Sequence, residues 1–231
     1  EENGTFKAQT DHAVDYGIDF YAPQTILTPD GRRVMIAWMQ NWDTSRLHPK
    51  ETPWFGQMTL PRELSVKNGR IYQNPIRELE KLRHNKVEYK DVVFTDTIKL
   101  DKVKGRKVDL EIELEPVEGK ELYKKFAVRF AQDCQYHTAV SFRPYESILK
   151  VDRKFSGSRR AAIHQRRSQV SSENGKIKLR LILDWFSAEI FVNDGEQVMT
   201  ITLYTDQAAD GISFFADGSV KMNVVKYDLI G

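Results

Sequence analysis

Lys176-Ile-Lys-Leu-Arg-Leu-Ile-Leu183 alternates polar and apolar residues, which puts Ile177, Leu179, Leu181 and Leu183 on one face of an extended strand. Ser187-Ala-Glu-Ile-Phe-Val192 follows as a second strand. Asn193-Asp194-Gly195 then marks a hairpin, because these residues tolerate positive φ, and Val198 to Tyr204 is the return strand. Further on, Gly211-Ile-Ser-Phe-Phe-Ala216, the turn pair Asp217-Gly218 and the stretch from Val220 to Leu229 read as another hairpin. Upstream, Val108, Leu110, Ile112 and Leu114 alternate in the same way, as do Phe126, Val128 and Phe130. Tyr136 to Phe142 and Ile148 to Val151 add two strands. No long helical period interrupts residues 85–231, so this part of an all-β chain reads as a two-sheet β-sandwich.

Residues 1–73 are also β in pattern but richer in aromatic residues, with Phe20, Tyr21, Trp38, Trp42, Trp54 and Phe55. Thr28-Pro-Asp-Gly31 is a turn between Thr25 to Leu27 and Val34 to Met39, and Asn68-Gly69 is a hairpin turn after Glu63 to Val66. Three or four such strands cannot close a barrel, but they suffice for one blade of a β-propeller. A lone blade has uncovered faces, so this segment is expected to pack on something else. Between the two parts, residues 74–84 carry Pro75 and then Ile76, Leu79 and Leu82 at a spacing of three, which predicts a short linker helix.

Composition excludes several classes. The 231 residues are 40% apolar and carry 35 basic against 33 acidic groups, a net charge of +2 that gives no large field for nucleic acid. Cys134 is the single cysteine, so no disulfide framework exists within the chain. There is no run of 18 apolar residues, the length a membrane span needs. The five histidines, at 12, 48, 84, 137 and 164, have no metal-ligand spacing, and neither metal nor cofactor is expected. The polar start and the absence of an initial methionine read as a chain cut from something longer. The single cysteine and the lack of export features favour a bacterial cytoplasmic location over secretion.

Four segments together resemble glycoside hydrolase family 32, the invertases, levanases, inulinases and sucrose-6-phosphate hydrolases. They are Asp15-Tyr-Gly-Ile-Asp-Phe-Tyr-Ala-Pro-Gln-Thr25, Gly31-Arg-Arg-Val-Met-Ile-Ala-Trp-Met39, Trp54-Phe-Gly-Gln-Met-Thr-Leu-Pro-Arg-Glu-Leu64 with Asn68 to Pro75 close behind, and Leu183-Asp-Trp-Phe-Ser-Ala-Glu-Ile-Phe-Val-Asn-Asp-Gly195. The resemblance implies a five-bladed β-propeller joined to a C-terminal β-sandwich, with residues 1–73 in its last blade or blades. It implies retaining hydrolysis of a fructosyl bond in sucrose, sucrose 6-phosphate or fructan by two closely spaced carboxyl groups. In the family the nucleophile lies in W-M-N-D-P-N-G, the acid/base in E-C, and a third acid in R-D-P. Glu-Cys, Arg-Asp-Pro and Asn-Asp-Pro do not occur here, since Cys134 follows Asp133 and Arg143 directly precedes Pro144. The resemblance therefore implies no catalytic residue in this chain, an inactive chain in isolation, and missing N-terminal blades as its partner. A homo-oligomer through the sandwich is a further possible partner.

Substrate contacts implied by the resemblance are Asp15, Asp19, Tyr21 and Trp54. In plant invertase-like members an Asp and a following Lys in this region shape substrate binding. Asp15 matches the Asp, while Ile18 and Asp19 stand where the Lys would be. A carboxylate can accept two sugar hydroxyls, and an aromatic face suits a sugar's C–H surface. The plainer readings are a turn at Asp15 before Gly17, a backbone contact at Asp19, and core packing for Trp54. Trp38 reads as core, and Gln57 and Asn41 as rim residues. Arg62 and Glu63 read as a structural pair. Arg159, Arg160, Arg166 and Arg167 around His164 read as a solvated strand and loop, with a phosphate site as the sharper alternative. The competing overall reading is a non-catalytic carbohydrate-binding or interaction β-sandwich. It requires an exposed aromatic platform, which aliphatic-rich strands supply poorly.

Overall fold

The computed structural model describes residues 11–43, 56–157 and 162–230. The alternation at 177–183 becomes β11 (Ile177–Asp184), in which Ile177, Leu179, Leu181 and Leu183 are buried while Lys178 faces solvent. β11 lies between β6 (Val108–Pro116) and β12 (Ser187–Val192), and β12 pairs with β13 (Gln197–Thr202). A second wing holds β7 (Lys125–Gln132), β8 (Thr138–Arg143), β9 (Ile148–Asp152) and β10 (Gln165–Gln169), each antiparallel to the next.

β14 (Gly211–Leu229) joins the wings. It pairs with β7 as far as Asp217 and with β6 from Val220, while β5 (Arg83–Ile98) runs along its other edge. The ten strands make one sheet. Phe126, Val140 and Leu149 from one wing meet Leu110, Leu179 and Ile190 from the other in a single core. The hairpin expected at Asp217-Gly218 is therefore corrected. The chain does not reverse there; Gly218 adopts a φ of 96° and the register with β5 shifts between Ala216 and Val220. A glycine at positive φ can bend a strand as well as end it, and here each half of β14 finds distant partners.

The second sheet has the order β1 (Tyr21–Leu27), β2 (Arg33–Trp38), β3 (Arg62–Lys67), β4 (Arg70–Pro75). Gly31 N–H closes the β1–β2 turn on Thr28 O at 2.9 Å, and β3 and β4 reverse at Asn68-Gly69, both as the turn residues require. The linker is shorter than 74–84 and is a 3-10 helix over Arg77–Leu82. Pro75 ends β4 and Arg83 starts β5. Of its apolar stripe Leu79 is buried, against Ile182, Phe191 and Val198, whereas Leu82 is exposed.

Every residue of β12 and β13 is buried. One face of this pair, including Ala188, Ile190, Met199 and Ile201, belongs to the main core. The other, with Glu189, Phe191, Val198 and Thr200, is covered from outside by β3 and by the segment that precedes β1.

Arg62 and Glu63 are not paired with each other, because successive strand residues point to opposite faces. Glu63 accepts from Arg32 Nη1 at 2.8 Å and from Arg77 Nη2 at 2.7 Å, tying the β1–β2 turn and β3 to the 3-10 helix. The Arg77 hydrogen bond is the main reason the Glu63 carboxyl is lowered to about 2. A carboxyl lowered on folding stabilises above its ordinary pKa of 4.5 and loses that contribution as pH falls toward 2. The stability gap between the parent chain and Glu63→Gln, followed by thermal denaturation, is expected to be full near about pH 6 and to close in strong acid.

Candidate functional site

The segment before β1 lies along β13. Tyr16 N–H donates to Val198 O at 2.8 Å, and Ile18 and Asp19 N–H both donate to Thr200 O, at 2.8 and 3.1 Å. Glycine at position 17 makes this approach possible, since a Cβ there would lie 2.1 Å from Thr200 N. Asp15 caps the turn by accepting from Gly17 N–H at 2.7 Å, and it also accepts from Thr200 N–H at 3.0 Å and Thr200 Oγ1 at 2.5 Å. Asp19 accepts from Thr202 N–H at 2.7 Å and from Arg153 Nη1 at 2.5 Å.

Arg62 sits at the centre of this seam with no exposed surface. Its Nε and Nη2 donate to Glu189 Oε2 at 2.9 and 2.6 Å. Nη1 reaches Asp15 Oδ2 and Gln73 Oε1, both at 3.0 Å, and Nη2 also reaches Thr200 Oγ1 at 2.6 Å. The guanidinium has five N–H donors, and these five contacts match them. Phe20 and Phe191 lie against its plane, with ring centres 5.1 and 5.6 Å from Cζ. Burial works against the Arg62 charge, but Glu189 and Asp15 outweigh it and raise its pKa. Burial, reinforced by the Asp15 charge, pushes the Glu189 carboxyl up against the pull of Arg62. Two carboxyl groups share one guanidinium in this buried seam, which disfavours the charged form of Glu189.

The seam also fixes the start of β1. Tyr21, two residues beyond Asp19, is 44% exposed and meets Trp42, 68% exposed, edge to face at 5.5 Å between ring centres. Asn41, next to Trp42, donates to Ile18 O at 3.0 Å, so both rings are tethered to the same segment. The result is a ledge of two aromatic faces at about a right angle, with a phenol hydroxyl at its edge. It can stack on a sugar's C–H surface and hydrogen-bond one hydroxyl.

Of the sequence candidates, Asp15 and Asp19 are buried side chains engaged by protein groups, and Tyr21 is exposed on the ledge. Trp54, with Phe55 and His48, lies outside the described residues. Gln57 donates to Phe186 O at 3.3 Å, and Trp38 is half-buried. Sequence reasoning gave Trp42 no role, although its place among the clustered tryptophans was the available signal. Among the described residues no group of three His, Cys, Asp or Glu is placed to hold a metal ion. No helix among them is long and apolar enough to cross a membrane.

Two family models match the chain. Glycosyl hydrolases family 32 C terminal covers residues 78–229, and Glycosyl hydrolases family 32 N-terminal domain covers residues 1–75. A sucrose-6-phosphate hydrolase of Staphylococcus xylosus is 35% identical over 222 residues, which is 95% of this chain and 44% of that protein. A levanase of a Bacillus species is 33% identical over 226 residues, or 91% of this chain and 24% of that protein. Among solved structures, a sucrose-6-phosphate hydrolase from Lactobacillus gasseri superposes with a TM-score of 0.76 at 23% identity, over 94% of this chain and 42% of that one. The chain thus spans less than half the length of each of these proteins.

Proposed function

The chain belongs to glycosyl hydrolase family 32, and from that premise we propose that it is the C-terminal part of a retaining β-fructofuranosidase. In this reading β1 to β4 form the last blade of a five-bladed propeller and the ten-stranded sheet is the sandwich behind it. The observation that carries the reading is the state of the smaller sheet. All seven residues of β1 are exposed, including Ile26 and Leu27, and Ile36, Val66 and Ile71 add apolar surface on neighbouring strands. An uncovered edge strand with exposed apolar neighbours is a surface that a preceding blade would cover. The free, exposed Cys134 is in keeping with a reducing bacterial cytoplasm.

The chemistry assigned to the parent is double displacement at the anomeric carbon of a fructosyl unit. The nucleophile, acid/base and third acid belong to the preceding part, because the segments that carry them in the family do not occur here. This chain's share is positional. Tyr21 and Trp42 contact the sugar or its leaving group, while Asp15 and Asp19 hold the segment that presents them. Sucrose, sucrose 6-phosphate and fructan are the substrates this reading covers, the last two in keeping with the names of the similar proteins.

The test compares this chain with its natural longer product on sucrose and levan. The longer protein is expected to release fructose and the isolated chain to release none; fructose released by this chain alone overturns the reading. In the longer protein, Trp42→Ala is expected to lower kcat/KM by about tenfold or more, the loss of one stacking face.

A further inference from the structure

The basic tract picked out in the sequence does not act as one unit. Arg159 and Arg160 lie outside the described residues, and Arg166 and Arg167 are neighbours on β10, so they point to opposite sides of the sheet. Arg167 stands across from Lys150 of β9, and Lys150 stands across from Ser141 of β8. Arg143 of β8 and Lys125 of β7 share that outer face, and with Glu146 and Ile148 these side chains line one small cleft. Like charges directly opposite on a sheet repel, yet here Lys150 and Arg167 are held that way by rigid strands.

The carboxylates nearby do not neutralise the cluster. Glu146 pairs with Arg143 at 3.3 Å and Asp152 pairs with Lys150 at 2.9 Å. Among the described residues Lys125 and Arg167 have no carboxylate within ion-pair distance. Ser141 is 5% exposed and lines the cleft, and no protein group among the described residues takes its hydroxyl. Burial, then Lys150, Arg143 and Arg129 in turn, lowers the pKa of Lys125.

We propose that this cleft binds a phosphate-type oxyanion, free or as a monoester, through Arg167, Lys125, Lys150 and the Ser141 hydroxyl. A guanidinium fork beside ammonium groups is the donor set that such an ion takes. The interior of the cleft has room for about two waters, the scale of a small oxyanion. An ester would leave its organic part in solvent. The site is on the outer face of the β7–β10 wing, and it does not rest on the fructosidase reading.

The test is calorimetric titration of the chain with inorganic phosphate and, separately, with glycerol phosphate, at ionic strength held constant with chloride. Saturable one-to-one binding is expected. Arg167→Gln and Lys125→Gln should each weaken it by about tenfold or more, and Arg166→Gln, one residue away on the other side of the strand, should leave it unchanged. Far-ultraviolet circular dichroism of each variant establishes that it is folded. Tighter binding of the ester than of the free ion assigns the site to a phosphate monoester, and the reverse assigns it to inorganic phosphate. Absence of saturable binding, or equal loss in Arg166→Gln, overturns the proposal.

Discussion

Replacing Arg62 with alanine is expected to cost about 3–5 kcal/mol of folding stability, which urea unfolding followed by tryptophan fluorescence will read. The size reflects the charges left behind. Glu189 and Asp15 stay buried at the junction of the two sheets and lose the cation that both face. A domain of this kind is stable by only about 5–15 kcal/mol, so the variant is expected to approach the edge of foldedness. Arg62→Lys keeps the charge but has three donors in place of five and no planar fork, and it is expected to fall between the two, at about 1–3 kcal/mol. Glu189→Gln changes the shape little and leaves Arg62 paired with Asp15, and should cost less than Arg62→Ala. A loss under about 1 kcal/mol for Arg62→Ala would mean that water reaches the seam and that the ion pair behaves as a surface pair.

The second large effect is expected at Gly17. In Gly17→Val the Cβ alone would meet Thr200 N at 2.1 Å and Thr200 O at 2.2 Å, both of them backbone atoms of β13, whose other edge is held in register by β12. The segment must lift off β13, and the bonds from Tyr16, Ile18 and Asp19 go with it. About 2–4 kcal/mol is expected, the upper range for forced overpacking. Hydrogen exchange distinguishes this from general destabilisation. The amides of Thr200 and Thr202, which donate to Asp15 and Asp19, are expected to lose protection, whereas those of β7 to β9 keep theirs. Protection lost evenly over both wings would mean that the seam is not a separate unit.

The strands were legible where one face meets the core and the other meets water. Ile177, Leu179, Leu181 and Leu183 gave β11 directly, and Thr28 to Gly31 and Asn68-Gly69 gave both hairpin turns of the smaller sheet. The seam was not legible for the same physical reason. Glu189, Thr200 and Thr202 alternate with apolar neighbours as residues on a wetted face do, and only the arrival of another part of the chain buries them. Arg62 finds Glu189 across 127 positions, a pairing with no local signature. Asp217-Gly218 misled because the φ that permits a reversal also permits a bend. The family motif did lead to the segment from Asp15 to Tyr21, yet from residue types alone a carboxylate that accepts backbone N–H groups looks the same as one that accepts sugar hydroxyls.

The long bent strand β14 also orders events during synthesis on the ribosome. β5, β6 and β7 all pair with it, so none of them has its full set of neighbours until residues 211–229 have left the exit tunnel. Arg83 emerges 128 positions before Gly211, which at about 5–20 residues per second is a wait of roughly 6–25 s. Throughout that interval the nascent chain carries unpaired strand edges that can template association with another chain. A stall or truncation ahead of Gly211 leaves both wings without the strand that joins them, a species that chaperones would be expected to hold.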